Sequence, residues 1–120
     1  MENRNAQYHR GRLGEALREE ISAMVEGELA DPRIGLATVT EVQLAPDGKA
    51  AHVMVAVHGS DEEAAASIEG LGAARNFIRR QVAFRLSLRH APELFFHLDR
   101  SEQYGTRIDE LLNRIQKRKK

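Results

Sequence analysis

Cysteine is absent from this chain of 120 residues, so neither a disulfide nor a thiolate metal ligand is available, which suits a reducing compartment. No apolar run approaches the ~20 residues that cross a bilayer. Met1-Glu2-Asn3-Arg4-Asn5 has no apolar h-region, so no secretory leader is expected, and a cytoplasmic location is. The sequence holds no Gly-x-x-x-x-Gly-Lys-Ser/Thr phosphate loop, no His-Glu-x-x-His, and no Gly-x-Ser-x-Gly turn. Ser22, Ser60, Ser67, Ser87 and Ser101 have no recognisable base partner in sequence. Catalysis is therefore not expected, and no cofactor is implied.

Net charge is also lacking: 18 Lys and Arg balance 18 Asp and Glu. The balance conceals a division. Residues 1–69 carry thirteen acids against six bases, a net of −7, while residues 70–120 carry five acids against twelve bases, a net of +7. Acids are missing altogether between Gly70 and Pro92, where Arg75, Arg79, Arg80, Arg85 and Arg89 lie among Phe77, Ile78, Val82, Phe84, Leu86 and Leu88. Such a half gives a directed field, and an anionic polymer would dock there.

The length predicts one domain over 1–120, with flexible ends at about 1–9 and 117–120. Leu13, Leu17, Ile21, Met24, Val25 and Leu29 recur at helical spacing, and Asp31-Pro32 is expected to end that helix. Leu36–Leu44 reads as a loosely alternating strand. Ala51, Val53, Val55 and Val57 alternate cleanly in a second strand, and Ala45-Pro46-Asp47-Gly48-Lys49 turns between them. Ser60 and Glu63 form a capping-box pattern ahead of a helix to about Leu71. Gly70, Gly72 and Asn76 are expected to interrupt it before a further helical stretch from Phe77, which Pro92 closes. In that stretch Asn76, Arg79, Arg80, Ala83 and Ser87 share a polar face, and the apolar residues are expected to pack against both a sheet and another helix. Leu94–Asp99 reads as a third strand, and Ser101 caps a final helix carrying Ile108, Leu111, Leu112 and Ile115. The whole is an α+β arrangement of helices on one face of a three-stranded sheet.

This order is that of the type II KH fold. Four blocks carry a more specific resemblance: Glu28-Leu29-Ala30-Asp31-Pro32-Arg33-Ile34, Ala37-Thr38-Val39-Thr40-Glu41-Val42, Phe77-Ile78-Arg79-Arg80, and the stretch from Leu88 to Asp99. In sequence and spacing they resemble the ribosome-binding factor A family, over about Gly11 to Ile115. The resemblance implies a non-enzymatic factor that binds the immature small (30S) ribosomal subunit and its 16S rRNA. It also implies assistance in rRNA processing and late maturation, and support of growth in the cold. The implied partners are that subunit and a release factor such as a ribosome-associated GTPase, with no membrane and a monomeric chain. In this family an Ala-x-Gly kink joins the two central helical stretches. The matching residues here are Ala74, Arg75 and Asn76, with asparagine in the glycine place; asparagine tolerates left-handed geometry, so a kink is expected.

Arg79 and Arg80, beside Asn76, are the foremost expected RNA contacts, and Arg75 follows at the kink. Arg85, Arg89, Lys117 and Arg118 complete the set. Arginine suits this task because its planar fork grips phosphate in a bidentate manner and stacks on bases. Two plainer readings stand beside this one: the arginines coat the wet face of a helix, or they meet an acidic protein partner. His90, Glu93, His97 and Asp99 are weighed as metal ligands and set aside, because no three of them share a regular helical face.

Overall fold

The computed structural model describes the backbone of residues 2–101 and 111–115, and the side chains of 11–101 and 111–115. Helix α1 spans Glu2–Ala23 and continues into one π-helical turn, Met24–Glu28. Helical backbone thus begins well before the apolar spacing does at Leu13. It also stops before Asp31-Pro32, since Leu29 is already extended (φ −89°, ψ 129°). Pro32 instead lies in a tight turn, where Arg33 N–H donates to Asp31 Oδ1 at 2.9 Å and Ile34 N–H to Asp31 O at 3.0 Å. Leu17, Ile21 and Met24 on the inner stripe are fully buried, and each contributes roughly 1.5–3 kcal/mol by leaving water.

Strands β1 (Leu36–Leu44), β2 (Ala50–His58) and β3 (Glu93–Leu98) form one sheet in the order β1-β2-β3. β1 and β2 are antiparallel, and β3 is parallel to β2. The loose alternation of β1 has a cause. Val39 pairs with Val55 and Glu41 with Met54, so Thr40 is an extra residue in the ladder. A one-residue bulge shifts the side-chain parity. Ala37 and Val39 face the core before it, and Val42 and Leu44 after it. The hairpin turn forms as its residues suggest: Gly48 N–H donates to Ala45 O at 2.8 Å, and Gly48 itself takes φ 74°.

Helix α2, Asp61–Arg85, makes the crossover that a parallel β2–β3 pair requires. Its N-terminus is closed by the capping box, with Glu63 N–H donating to Ser60 Oγ at 3.1 Å. The interruption expected at Gly70, Gly72 and Ala74-Arg75-Asn76 is not there. Residues 61–85 form one helix, and Ser87 is the sole non-glycine with positive φ among the described residues. The left-handed region costs a residue with a Cβ about 1–2 kcal/mol, whereas Asn within a helix costs about 0.7 kcal/mol or less relative to Ala. Asn76 therefore stays helical.

Gly70 serves packing instead. A Cβ there would lie 2.9 Å from Ile34 Cγ1 and 3.3 Å from Arg33 Cβ, so its absence lets the 31–35 turn sit directly on α2. Ser67, the one buried polar side chain among the described residues, pins the same turn. It accepts from Gly35 N–H at 3.0 Å and donates to Arg33 O at 3.3 Å.

α2 packs against the sheet and also touches α1, as expected, but part of its apolar arc stays open. Leu71, Ile78 and Val82 are fully buried against the sheet, while Phe77 and Phe84, expected in the core, are 43% and 84% exposed. α2 also ends at Arg85 rather than at Pro92, so Arg89 lies on a loop. Ser101 and residues 111–115 are helical; the rest of the expected final helix lies outside the described residues. The result is a KH-like α+β fold, with both helices on one face of the sheet.

Candidate nucleic-acid interface

The turn after α2 decides where the arginines go. Ser87, at φ 53°, occupies the left-handed position that usually holds glycine at a helix end. Its N–H donates to Phe84 O at 3.3 Å, and Leu88 N–H donates to Ala83 O at 2.8 Å. These bonds satisfy carbonyls that the helix end would leave open, and they reverse the chain. Arg89, His90 and Ala91 then come back beside Asn76, Arg79, Arg80 and Ala83. Between the two arms lies a cleft of about 340 Å³ with no acidic residue in its lining.

The five arginines of the acid-free run separate into different tasks. Arg79 donates through Nε to Pro92 O at 3.1 Å and through a terminal nitrogen to Ala91 O at 3.2 Å. It is half-buried and holds the returning loop to the helix. Arg85 bridges to α1 and its π turn, at 2.7 Å from Glu28 Oε2 and 3.3 Å from Glu20 Oε2. The hydrogen bond to Glu28, then that to Glu20, raises its pKa, so it remains a fixed cation bound to acids. Arg75, Arg80 and Arg89 make no ion pair or side-chain hydrogen bond among the described residues. Arg80 and Arg89 are exposed and both line the cleft; Arg75 is half-buried and lies outside it. Lys117 and Arg118 fall outside the described residues.

The cleft thus brings together Asn76, Arg79, Arg80 and Arg89 from the expected set, and leaves out Ala74, Arg75 and Arg85. It adds His90, weighed in the sequence only as a metal ligand, and Ala91; neither stood in the expected RNA-contact set. They become site residues only because Ser87 turns left-handed, and serine gives no local sign of that. Acids at the start of α2 and bases at its end also suit the helix dipole. That bland cause applies to Arg85 in the last turn and does not reach Arg89 on the loop.

Two larger clefts, about 510 and 720 Å³, run between α1 and β1. Glu15, Glu19, Glu26 and Glu41 dominate their charged lining over Arg18, so they repel a polyanion. Arg33 is likewise occupied, with a terminal nitrogen 2.7 Å from Asp31 Oδ2; these bonds hold the Asp31 carboxyl below its usual pKa.

On the open face of the sheet, His52 Nδ1 is 2.8 Å from His97 Nε2, and His52 also stacks on Phe95 with ring centroids 5.3 Å apart. No group of three His, Asp or Glu is placed to hold a metal among the described residues. Nor, among them, is any helix long and apolar enough to cross a membrane.

Residues 9–112 match the family described as Ribosome-binding factor A. A protein of that name from Koribacter versatilis is 60% identical over 120 residues, covering 100% of this chain and 98% of the relative. One from Thermomicrobium roseum is 47% identical over 109 residues, covering 91% and 84%. The crystal structure of ribosome-binding factor A from Thermus thermophilus superposes with a TM-score of 0.58 at 32% identity, covering 77% of this chain and 92% of that one. A homology model of the Thermus thermophilus factor, fitted into the cryo-EM map of a 30S complex, gives a TM-score of 0.56 at 33% identity, with the same coverage.

Proposed function

This chain belongs to the ribosome-binding factor A family, and from that premise we propose that it binds the immature small ribosomal subunit through the 16S rRNA, acting by occupancy rather than by chemistry. It holds an RNA junction in one geometry during rRNA processing and late maturation, and so supports assembly in the cold, when misfolded RNA rearranges slowly. It works as a single-domain monomer in the cytoplasm, and a ribosome-associated GTPase is the class of partner that would release it. The observation that carries this reading is the acid-free cleft, with Arg80 and Arg89 exposed and unpaired on its two sides among the described residues. The Thermus relative seen with a 30S particle supports the choice of partner.

Contact with about four to six phosphates would give a log–log salt slope of roughly −3 to −5. The test is co-sedimentation with immature small subunits, together with equilibrium binding to small-subunit rRNA by the wild type and Arg80→Glu/Arg89→Glu. Binding to free small subunits but not to translating ribosomes, with loss in the double variant, is the expected result. Equal RNA binding by both proteins would overturn the cleft assignment. Retention of an acidic protein in place of RNA would favour the protein-partner reading.

A further inference from the structure

Resting on the RNA-binding reading, we infer that the cleft is a clamp for a single RNA phosphate, closed by Arg80 from α2 and Arg89 from the loop, and that Arg79 is its positioning residue rather than a contact. The two jaws belong to different pieces of chain. Arg80 rides on a rigid helix; Arg89 rides on the loop that follows the Ser87 reversal. Two like charges line a cleft without acids, so nothing in its lining draws the loop to the helix by charge, and the loop must be held in place otherwise. At its far end it joins the sheet, where Glu93 N–H donates to Lys49 O at 2.9 Å. Across the cleft itself, the tie is the pair of bonds from Arg79 to the carbonyls of Ala91 and Pro92.

Arginine suits the tie for a geometric reason. Its planar fork meets two successive carbonyls at once, whereas a lysine ammonium is a point charge on a flexible stem. Those bonds occupy Arg79 and leave less of its guanidinium for a phosphate. Arg80 and Arg89, by contrast, keep their donors free among the described residues, and a phosphate between them would accept charge-assisted hydrogen bonds from both. Asn76 and His90 also line the cleft and bring further N–H groups to it. At about 340 Å³ the cleft is at the small end of ligand pockets, which start at about 300 Å³. It takes one phosphate with its sugar, not the width of a duplex.

The experiment is equilibrium binding of the full chain to small-subunit rRNA across a salt series, with Arg80→Ala, Arg89→Ala, Arg79→Ala, Arg79→Lys and Arg79→Ala/Arg89→Ala. Loss of either jaw is expected to weaken binding about tenfold and to lower the salt slope by about one. Arg79→Ala should weaken binding by a similar factor and Arg79→Lys should fail to rescue it. The Arg79→Ala/Arg89→Ala protein should bind no worse than Arg79→Ala alone, the coupling that a double-mutant cycle detects. Backbone amide shifts of 87–91 in free Arg79→Ala should move while those of β1 and β2 stay, separating a local change from unfolding. Wild-type affinity in Arg79→Lys, or additive losses and a slope lowered by about two in the double variant, would make Arg79 an ordinary contact and overturn its positioning role. RNA binding unaffected by Arg80→Ala and Arg89→Ala would instead overturn the RNA reading of the cleft, whatever Arg79 does to the loop.

Discussion

Gly70 and Ile34 meet so closely that a Cβ added at Gly70 would lie 2.9 Å from Ile34 Cγ1. Gly70→Ala would gain about 1 kcal/mol of helix propensity and incur roughly 1–3 kcal/mol of overpacking. The net expectation is a loss of about 1 kcal/mol, read as a lower urea midpoint. Gly72→Ala is the control. Nothing lies within 4 Å of its new methyl group, so the propensity term stands alone and the midpoint should rise. A rise in both proteins would show that the 31–35 turn gives way freely.

Ser87 holds φ 53° at the end of α2. Ser87→Gly removes the left-handed penalty of about 1–2 kcal/mol at a cost of roughly 0.5–1 kcal/mol in chain entropy. Thermal unfolding should therefore show a gain of up to about 1.5 kcal/mol, with RNA affinity unchanged because the turn is retained. A destabilised Ser87→Gly protein would mean that the serine side chain contributes something beyond its backbone geometry.

Arg85 separates stability from binding. Its partners are Glu20 and Glu28, so Arg85→Ala should lower the melting temperature slightly, as loss of a surface ion pair does. The salt slope of RNA binding should remain that of the wild type, in contrast to Arg80→Ala. A slope lowered by about one would return Arg85 to the contact set.

Asp99 makes the fold acid-sensitive at one definable point. Its carboxylate accepts from Ser101 Oγ at 2.6 Å, from Ser101 N–H at 2.9 Å and from Thr40 Oγ1 at 2.6 Å. Ser101 first, and Thr40 next, hold its pKa below the ordinary 3.8. A carboxyl with a depressed folded-state pKa contributes stability that is complete above the unfolded value and is lost as pH falls through the folded one. Between pH 7 and pH 2.5 the wild type should lose more stability than Asp99→Asn, measured by urea unfolding at each pH. Asp31, lowered in the same direction by Arg33, acts in both proteins and cancels in the comparison.

Several features were legible without coordinates because their causes are local. The capping box at Ser60 and Glu63, the Pro46-Asp47-Gly48 turn and the alternation of Val53, Val55 and Val57 each depend on residues a few positions apart. The arginine excess between Gly70 and Pro92 was equally plain, and so was the four-block resemblance to the family. The same local reading expected an interruption at Gly70, Gly72 and Asn76 where α2 is one helix, since three small or polar residues resemble a break whether or not the helix ends there. It also buried Phe77 and Phe84, because an apolar arc does not state how much of it a neighbour will cover.

By itself, then, the sequence determined the element types, the KH-like order, the family and the basic half of the chain, all consequences of short-range periodicity and composition. Tertiary structure alone decided which arginine does what. Arg85 meets acids from another helix, Arg79 meets carbonyls beyond a reversal, and Arg80 and Arg89 come to line one cleft after Ser87 turns left-handed. A guanidinium acquires its task from the partner within its reach, and those partners lie from 12 to 65 positions away along the chain.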